Sequence, residues 1–366
     1  MIHTFEVKMR SLEVLKETFQ GDKFRQLTFF VTTKCNAKCK HCFYWESLNQ
    51  KIDELSLDEI KKISSTMPEF PVLSISGGEP YLRLDLAEIC EVFYNQNKVK
   101  EIYIPTNSLL LSNVKKITES MLKKCPEAKI TLNISLDGLH EIHDDIRGVK
   151  GNFKKVEENI DNLNELKRKY KNLSVNVSTV ITNKTVDKMQ DLINYVKKNM
   201  KVDSHNFEVM RGDPLDKTYK PVTSEEFKDL TEEAIEVRNY YAKKEKNWLK
   251  AKIIEGRLRY FYDLQKRFLD GKTWDIRCKA GITMAVLEPA GDLRVCEILG
   301  NNGIIGNLRN VNHDFNVLWN SEKAEQIRKW IKDTKCSCTH CIGLYNTIQH
   351  NFKANFIKPI LYSVKR

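Results

Sequence analysis

From residue 27 to about residue 210 the chain alternates two patterns. Short runs dense in Val, Ile, Leu, Thr and Phe predict strands over 27–31, 72–76, 101–105, 129–136, 173–181 and 204–210. Between them, apolar residues recur at helical spacing over lengths that suit helices. Ser56-Leu57-Asp58-Glu59 is a capping box and marks a helix start, because hydroxyl and carboxylate each satisfy a free backbone N–H. Alternation of this kind gives a parallel sheet with helices outside it. Residues 1–26 read as a short helical lead-in. After Asp213-Pro214, a second capping box, Thr223 to Glu226, enters a helical connection rich in Lys and Glu that Gly271 ends. Apolar residues 283–287, the turn Pro289-Ala290-Gly291-Asp292 and a short strand ending at Cys296 predict a β-hairpin. The expected division is lead-in 1–26, α/β core 27–215, helical connection 216–272, hairpin-and-helix unit 273–345 and tail 346–366.

Composition adds limits. The 366 residues, 41% of them hydrophobic, suffice for one large core or two smaller ones. The net charge of +11 comes mostly from lysines spread along helices. A basic balance attracts nucleic acid or an anionic membrane. No compact Arg/Lys block with interleaved aromatics is present, so the lysines read as solvated helix faces and argue against a nucleic-acid partner. No apolar run reaches the length of a membrane span, and the first residues, MIHTFEVKMRSLEVLK, lack a signal-peptide core. A cytoplasmic location is expected. There, ten cysteines point to metal or catalysis rather than to disulfides.

The densest chemistry lies in Lys34 to Phe43, KCNAKCKHCF. Cys35, Cys39 and Cys42 are spaced C-x3-C-x2-C in the loop after the first strand. Closely spaced thiolates let one loop wrap one iron–sulfur cluster. Three ligands are one short of four, so either a distant residue completes the set or one iron is left open. Zinc is the alternative, although zinc loops usually pair C-x2-C with a second pair or a His. His41 sits awkwardly between two of the cysteines.

Phe43 directly follows Cys42, and Gly77-Gly78-Glu79-Pro80 follows the second strand. With these, the chain resembles the radical S-adenosylmethionine (radical SAM) superfamily. The resemblance implies an α/β fold with a partial (β/α)6 TIM-type barrel, its chemistry at the C-terminal ends of the strands. It implies a 4Fe-4S cluster on Cys35, Cys39 and Cys42, with SAM chelating the open iron. It also implies that Gly77, Gly78 and Glu79 bind the SAM amino group. Thr106-Asn107-Ser108 stands where the family commonly has TNG, which leaves the role of Asn107 open. Ser135-Leu136-Asp137-Gly138, His143 to Gly148 and Gly151-Asn152-Phe153 resemble the SPASM/twitch branch, where Ser135 and Arg147 would contact SAM. A surface ion pair of Arg147 with Asp144 or Asp145 is the alternative. His140 and His143 read as ordinary helix-start residues. Asn176, on a strand whose polar residues alternate with Val175, Val177 and Thr179, is a further SAM or substrate candidate.

A second cysteine set comprises Cys278, Cys296, Cys336, Cys338 and Cys341. Gly291-x4-Cys296 and the C-x2-C at 338–341 resemble the shortened SPASM domain called twitch. This implies one auxiliary 4Fe-4S cluster on Cys278, Cys296, Cys338 and Cys341. Cys336 either replaces Cys338 or is spare. Four cysteines also suit structural zinc. Cys90 and Cys125 read as buried structural residues.

The implied chemistry starts with one electron from a reductant such as ferredoxin or flavodoxin. SAM is cleaved to methionine and a 5′-deoxyadenosyl radical, which removes hydrogen from a substrate carbon. The first reading is oxidation or epimerisation of a small metabolite such as a sugar or cyclitol. It is favoured by a single auxiliary cluster and by the lack of a recognisable leader-binding region. The alternative is a peptide maturase that installs a crosslink or oxidises a side chain. A non-catalytic electron carrier or zinc scaffold leaves the SAM motifs unexplained, and an RNA substrate lacks a visible binding region. Glu208, Asp213 and Asp292 are candidate general bases near the barrel mouth.

Overall fold

The computed structural model describes residues 22–241 and 248–364. The expected lead-in helix falls largely outside them. Six parallel strands form the core: β1 (Gln26–Phe30), β2 (Val72–Ser76), β3 (Glu101–Thr106), β4 (Lys129–Ser135), β5 (Leu173–Ile181) and β6 (Ser204–Val209). Each lies within about a residue of its sequence-based bounds. They pair in sequential order from β1 to β6. The connecting helices are α1 (Leu57–Thr66), α2 (Leu86–Asn97), α3 (Leu111–Lys124), α4 (His140–Arg147), α5 (Asn152–Lys169) and α6 (Met189–Asn199). Their buried stripes, such as Ile60 and Ile63 on α1 or Leu163 and Leu166 on α5, cover the outer face of the sheet. This is the partial barrel.

The capping boxes form as read. Ser56 Oγ accepts from Glu59 N at 3.3 Å, and Glu59 Oε2 accepts from Ser56 N at 2.8 Å. Thr223 and Glu226 repeat the arrangement before α7 (Ser224–Tyr241). The helical connection is α7 followed by α8 (Trp248–Leu269).

The hairpin is not detached from the barrel. β7 (Met284–Leu287) pairs in parallel with β1, and β8 (Asp292–Arg294) and β9 (Ile304–Asn307) continue the same nine-stranded sheet antiparallel. Every residue of β1 and of β7 is buried, as expected of neighbouring strands covered on both faces. Arg309, just beyond β9, pairs with Glu59 at 2.7 Å and ties this end to α1. Two helices follow, α9 (Phe315–Trp319) and α10 (Glu322–Asp333). The expected tail is instead folded. α11 (Cys341–Gln349) leads to α12 (Lys358–Val364), which lies so close to α8 that a Cβ on Gly256 would stand 1.9 Å from Pro359 O. Among the described residues, no helix is long and apolar enough to cross a membrane.

Candidate active site

The cysteine loop leaves β1 and lies on the end of β2. Gly78 N donates to Thr32 O at 2.9 Å and Glu79 N to Lys34 O at 2.8 Å. A Cβ on Gly77 would lie 2.6 Å from Thr32 O, and one on Gly78 only 2.1 Å from Lys34 O. Gly77 also has φ +132°, a conformation that L side chains rarely adopt. The glycines thus serve first to admit the cysteine loop, where the sequence suggested close approach to a ligand. From the other side, Lys38 N donates to Arg147 O and Lys40 N to Ile146 O, so the end of α4 holds the same loop.

A cavity of about 250 Å³ opens at the C-terminal ends of the strands. Cys35, Cys39 and Cys42 line it together with Gly77, Gly78, Glu79, Ser135 and Arg147. Asn176 does not reach it. Its Oδ1 accepts from Ser174 Oγ at 3.4 Å, while Ser178 and Val180, further along the same strand face, form the wall. Asn107 lines the cavity, and its backbone N–H donates to Glu79 Oε2 at 2.7 Å. Ser108 takes φ +64°, which explains a glycine in the family pattern. Here its Oγ accepts from Asn159 Nδ2 at 2.9 Å.

Burial sets the electrostatics. It pushes the carboxyl of Glu79 up to about 7, against the hydrogen bonds from Asn107 N and Tyr81 N. Burial, together with the neighbouring thiolates, likewise pushes Cys35 up to about 11 and Cys42 to about 12. Mutual repulsion of this kind is what three adjacent sulfurs produce, and a bound cationic cluster relieves it. The residues present therefore fit the cluster.

Arg147 is not the surface residue of the alternative reading. It is buried, 2.6 Å from Asp137 Oδ2 and 3.6 Å from Cys39 Sγ. Asp145 pairs instead with Lys40 at 2.8 Å, and Asp144 accepts from Phe153 N at 2.8 Å. Asp137 faces Arg147 and accepts from Val180 N at 2.9 Å. His143 accepts from Asp137 N at 3.1 Å, whereas the His140 ring packs at a tilt against Phe153, centroids 4.5 Å apart. The two histidines do not act as a pair.

In the second cysteine set, burial pushes every thiol up. Cys296 is raised further by Cys338 and Cys278, and Cys336 by Cys278. Cys278, Cys296, Cys338 and Cys336 thus act on one another, and as four thiols they are a donor set whose chemistry suits a cluster. The thiol of Cys341 points elsewhere: it accepts from Gln265 Nε2 at 3.4 Å, and Glu208 and Arg211 are the charges that act on it.

Sequence reasoning missed a charged group between the two sites. Arg211 pairs with Glu208 at 2.8 Å and with Glu297 at 2.9 Å, and His340 lies 3.1 Å from the same Glu297 oxygen. Burial opposes ionisation of Glu297, yet His340 and Arg211 hold its carboxyl down at about 2. Of the three candidate bases, Glu208 lines the cavity. Asp213 is exposed and paired with Lys217, and Asp292 accepts from Asn307 at 2.9 Å away from the cavity wall.

Comparison with known proteins matches this geometry. Residues 29–196 match the radical SAM superfamily, and residues 278–342 match SPASM, an iron–sulfur cluster-binding domain. The chain carries a radical SAM domain followed by a SPASM domain. Its cofactors are accordingly SAM, the 4Fe-4S cluster that binds it and auxiliary iron–sulfur. Among curated relatives, the antilisterial bacteriocin subtilosin biosynthesis protein AlbA of Bacillus subtilis is 26% identical over 331 residues, 87% of this chain and 66% of AlbA. Fe-coproporphyrin III synthase of Methanosarcina barkeri is 36% identical over 138 residues, 37% of this chain and 33% of that enzyme. The chain spans between a third and two thirds of the length of these relatives. Among solved structures, Streptococcus suis SuiB bound to its precursor peptide SuiA has the same fold, with a TM-score of 0.59 at 19% identity over 95% of this chain and 76% of SuiB. So has anSMEcpe with bound AdoMet and the Cp18Cys peptide, with a TM-score of 0.56 at 19% identity over 93% of this chain and 99% of that one.

Proposed function

We propose that this radical SAM enzyme acts on a peptide or protein, installing a crosslink or oxidising a side chain. The observation that carries this reading is the likeness to AlbA along 87% of the chain, a protein named for bacteriocin biosynthesis. The folds of SuiB and anSMEcpe, each seen with a peptide, support the same class. Oxidation of a sugar or cyclitol, the first expectation, has less support.

When bound, SAM and its cluster supply a 5′-deoxyadenosyl radical that removes hydrogen from an unactivated substrate carbon. Cys35, Cys39 and Cys42 would hold that cluster. Glu79 would receive the SAM amino group, with its carboxylate oriented by the N–H groups of Asn107 and Tyr81. Ser135 and Arg147 would flank the carboxylate of SAM, and Asp137 keeps Arg147 in place. Glu208 would take a proton from the substrate at the cavity wall, since Arg211 and His340 hold the carboxyl of Glu297 down at about 2, which makes it the poorer base. Cys278, Cys296 and Cys338, with Cys336 or Cys341, would hold one auxiliary cluster. A ferredoxin or flavodoxin would deliver the electron.

The test follows deuterium. Reduced, anaerobically reconstituted protein is incubated with SAM and an extract of cells grown on deuterated medium, split into polypeptide and small-molecule fractions. Deuterium should enter 5′-deoxyadenosine from the polypeptide fraction. Transfer from the small-molecule fraction alone would overturn the reading.

A further inference from the structure

Arg211 touches two segments that carry candidate cluster ligands and reaches a third through Glu297. Its guanidinium lies over the ring of Phe43, 4.9 Å from the centroid, and Phe43 directly follows Cys42. Its Nη2 pairs with Glu297, which directly follows Cys296. Glu297 in turn pairs with His340, which stands between Cys338 and Cys341. The group is nearly dry: the side chains of Arg211, Glu297 and His340 are 16%, 4% and 1% exposed. Gly212, at φ +70°, lets the backbone close on the same ring, since a Cβ there would sit 2.8 Å from Phe43 Cβ. A planar fork can serve two carboxylates while lying flat on an aromatic face; an ammonium cannot do all three.

We propose that Arg211 is a positioning residue that sets the charge beside the auxiliary cluster. It offsets the carboxylate of Glu297 next to Cys296 and fixes the auxiliary loops on the cavity wall. The inference rests on the reading that these cysteines hold iron. Net charge around a cluster helps to set its reduction potential. A carboxylate disfavours an added electron, and a cation favours it.

The experiment is a redox titration followed by electron paramagnetic resonance on the full chain. Cys35, Cys39 and Cys42 are replaced by Ala so that one cluster gives the signal. In that background R211Q should lower the midpoint potential, and E297Q should raise it. The double variant R211Q/E297Q should return close to the parent, and R211K should lie between R211Q and the parent. E297Q carries the test alone if R211Q does not fold. A loss of packing alone would move both single variants in one direction. Shifts of the same sign, or potentials that do not move, overturn the inference while leaving the auxiliary cluster in place. A folded background protein without iron overturns the auxiliary-cluster reading itself, and this inference with it.

Discussion

Gly78→Ala is the sharpest local perturbation of the SAM site. The added methyl would meet Lys34 O at 2.1 Å, Lys34 C at 2.6 Å and Cys35 Cβ at 3.0 Å. Two of these atoms are backbone, so no rotamer change relieves the contact. One loop or the other must move by about an ångström, which breaks the bond from Glu79 N to Lys34 O. Overpacking costs typically about 1–3 kcal/mol, and a backbone collision belongs at the upper end of that range. About 3 kcal/mol corresponds to roughly a hundredfold loss in the population of the cluster-ready loop. The strain is local, so the second cysteine set should keep its iron. Gly151→Ala is the control: it asks a left-handed position, at φ +79°, to accept a side chain, a backbone cost that Gly78 does not carry, but nothing lies within 4 Å of the new atom. Iron content and the resonance signal that SAM perturbs should fall in Gly78→Ala and persist in Gly151→Ala. A Gly78→Ala protein with a full SAM-responsive signal would refute the packing role given to this glycine.

Replacing Cys35, Cys39 and Cys42 together with Ala should abolish SAM cleavage and leave iron at the second site; a folded variant with no iron would remove the auxiliary cluster. Glu79 has its carboxyl raised from 4.5 to about 7, so it becomes charged only as pH climbs past that value. SAM affinity should therefore level off above pH 7 and fall by up to about tenfold per pH unit below it. Glu79→Gln should flatten that profile in a calorimetric titration, and a pH-dependent profile in the variant would place the titration elsewhere. Glu208→Gln should lower product formation by roughly 10²- to 10⁴-fold, the usual worth of a positioned base, while 5′-deoxyadenosine still forms. Equal loss of both would mean that Glu208 acts before hydrogen removal. Cys336→Ala and Cys341→Ala, compared for auxiliary iron, should show the greater loss for Cys336, because it sits with Cys278 whereas the Cys341 thiol faces Gln265.

The six core strands were legible because each is a short buried run with helical periodicity on either side. Position within the sheet was less so. The pattern of residues 283–287 announces a strand, but nothing local says that it will pair with β1 rather than stand alone. That pairing is a non-local match between two strands buried on both faces. Residues 346–366 misled for a similar reason. Up to residue 364 their fold includes a close approach to α8 at Gly256, where a side chain would collide with Pro359 O, and one glycine within a long helical pattern reads as a minor blemish.

In the site, residues that act through spacing were visible and residues that act through convergence were not. Three cysteines within one loop announce themselves. Arg211, Glu297 and His340 come from a strand end, a hairpin and a cysteine-rich loop, and no local pattern joins them. A signal did exist: Glu297 and His340 are each adjacent to a cysteine already under suspicion, and Arg211 directly follows the sixth strand, where barrel chemistry resides. Charged neighbours of cluster cysteines therefore belong among the candidates from the outset, although Lys40, beside Cys39, turns outward to Asp145. Asp137 shows the converse. It stands at a strand end, where barrel chemistry resides, yet its carboxylate is occupied by Arg147 and by Val180 N. A strand-end acid in a barrel is therefore assigned to ligand or to scaffold by the nearest buried cation, and that partner, ten residues further along the chain, is fixed by the loop and helix between them.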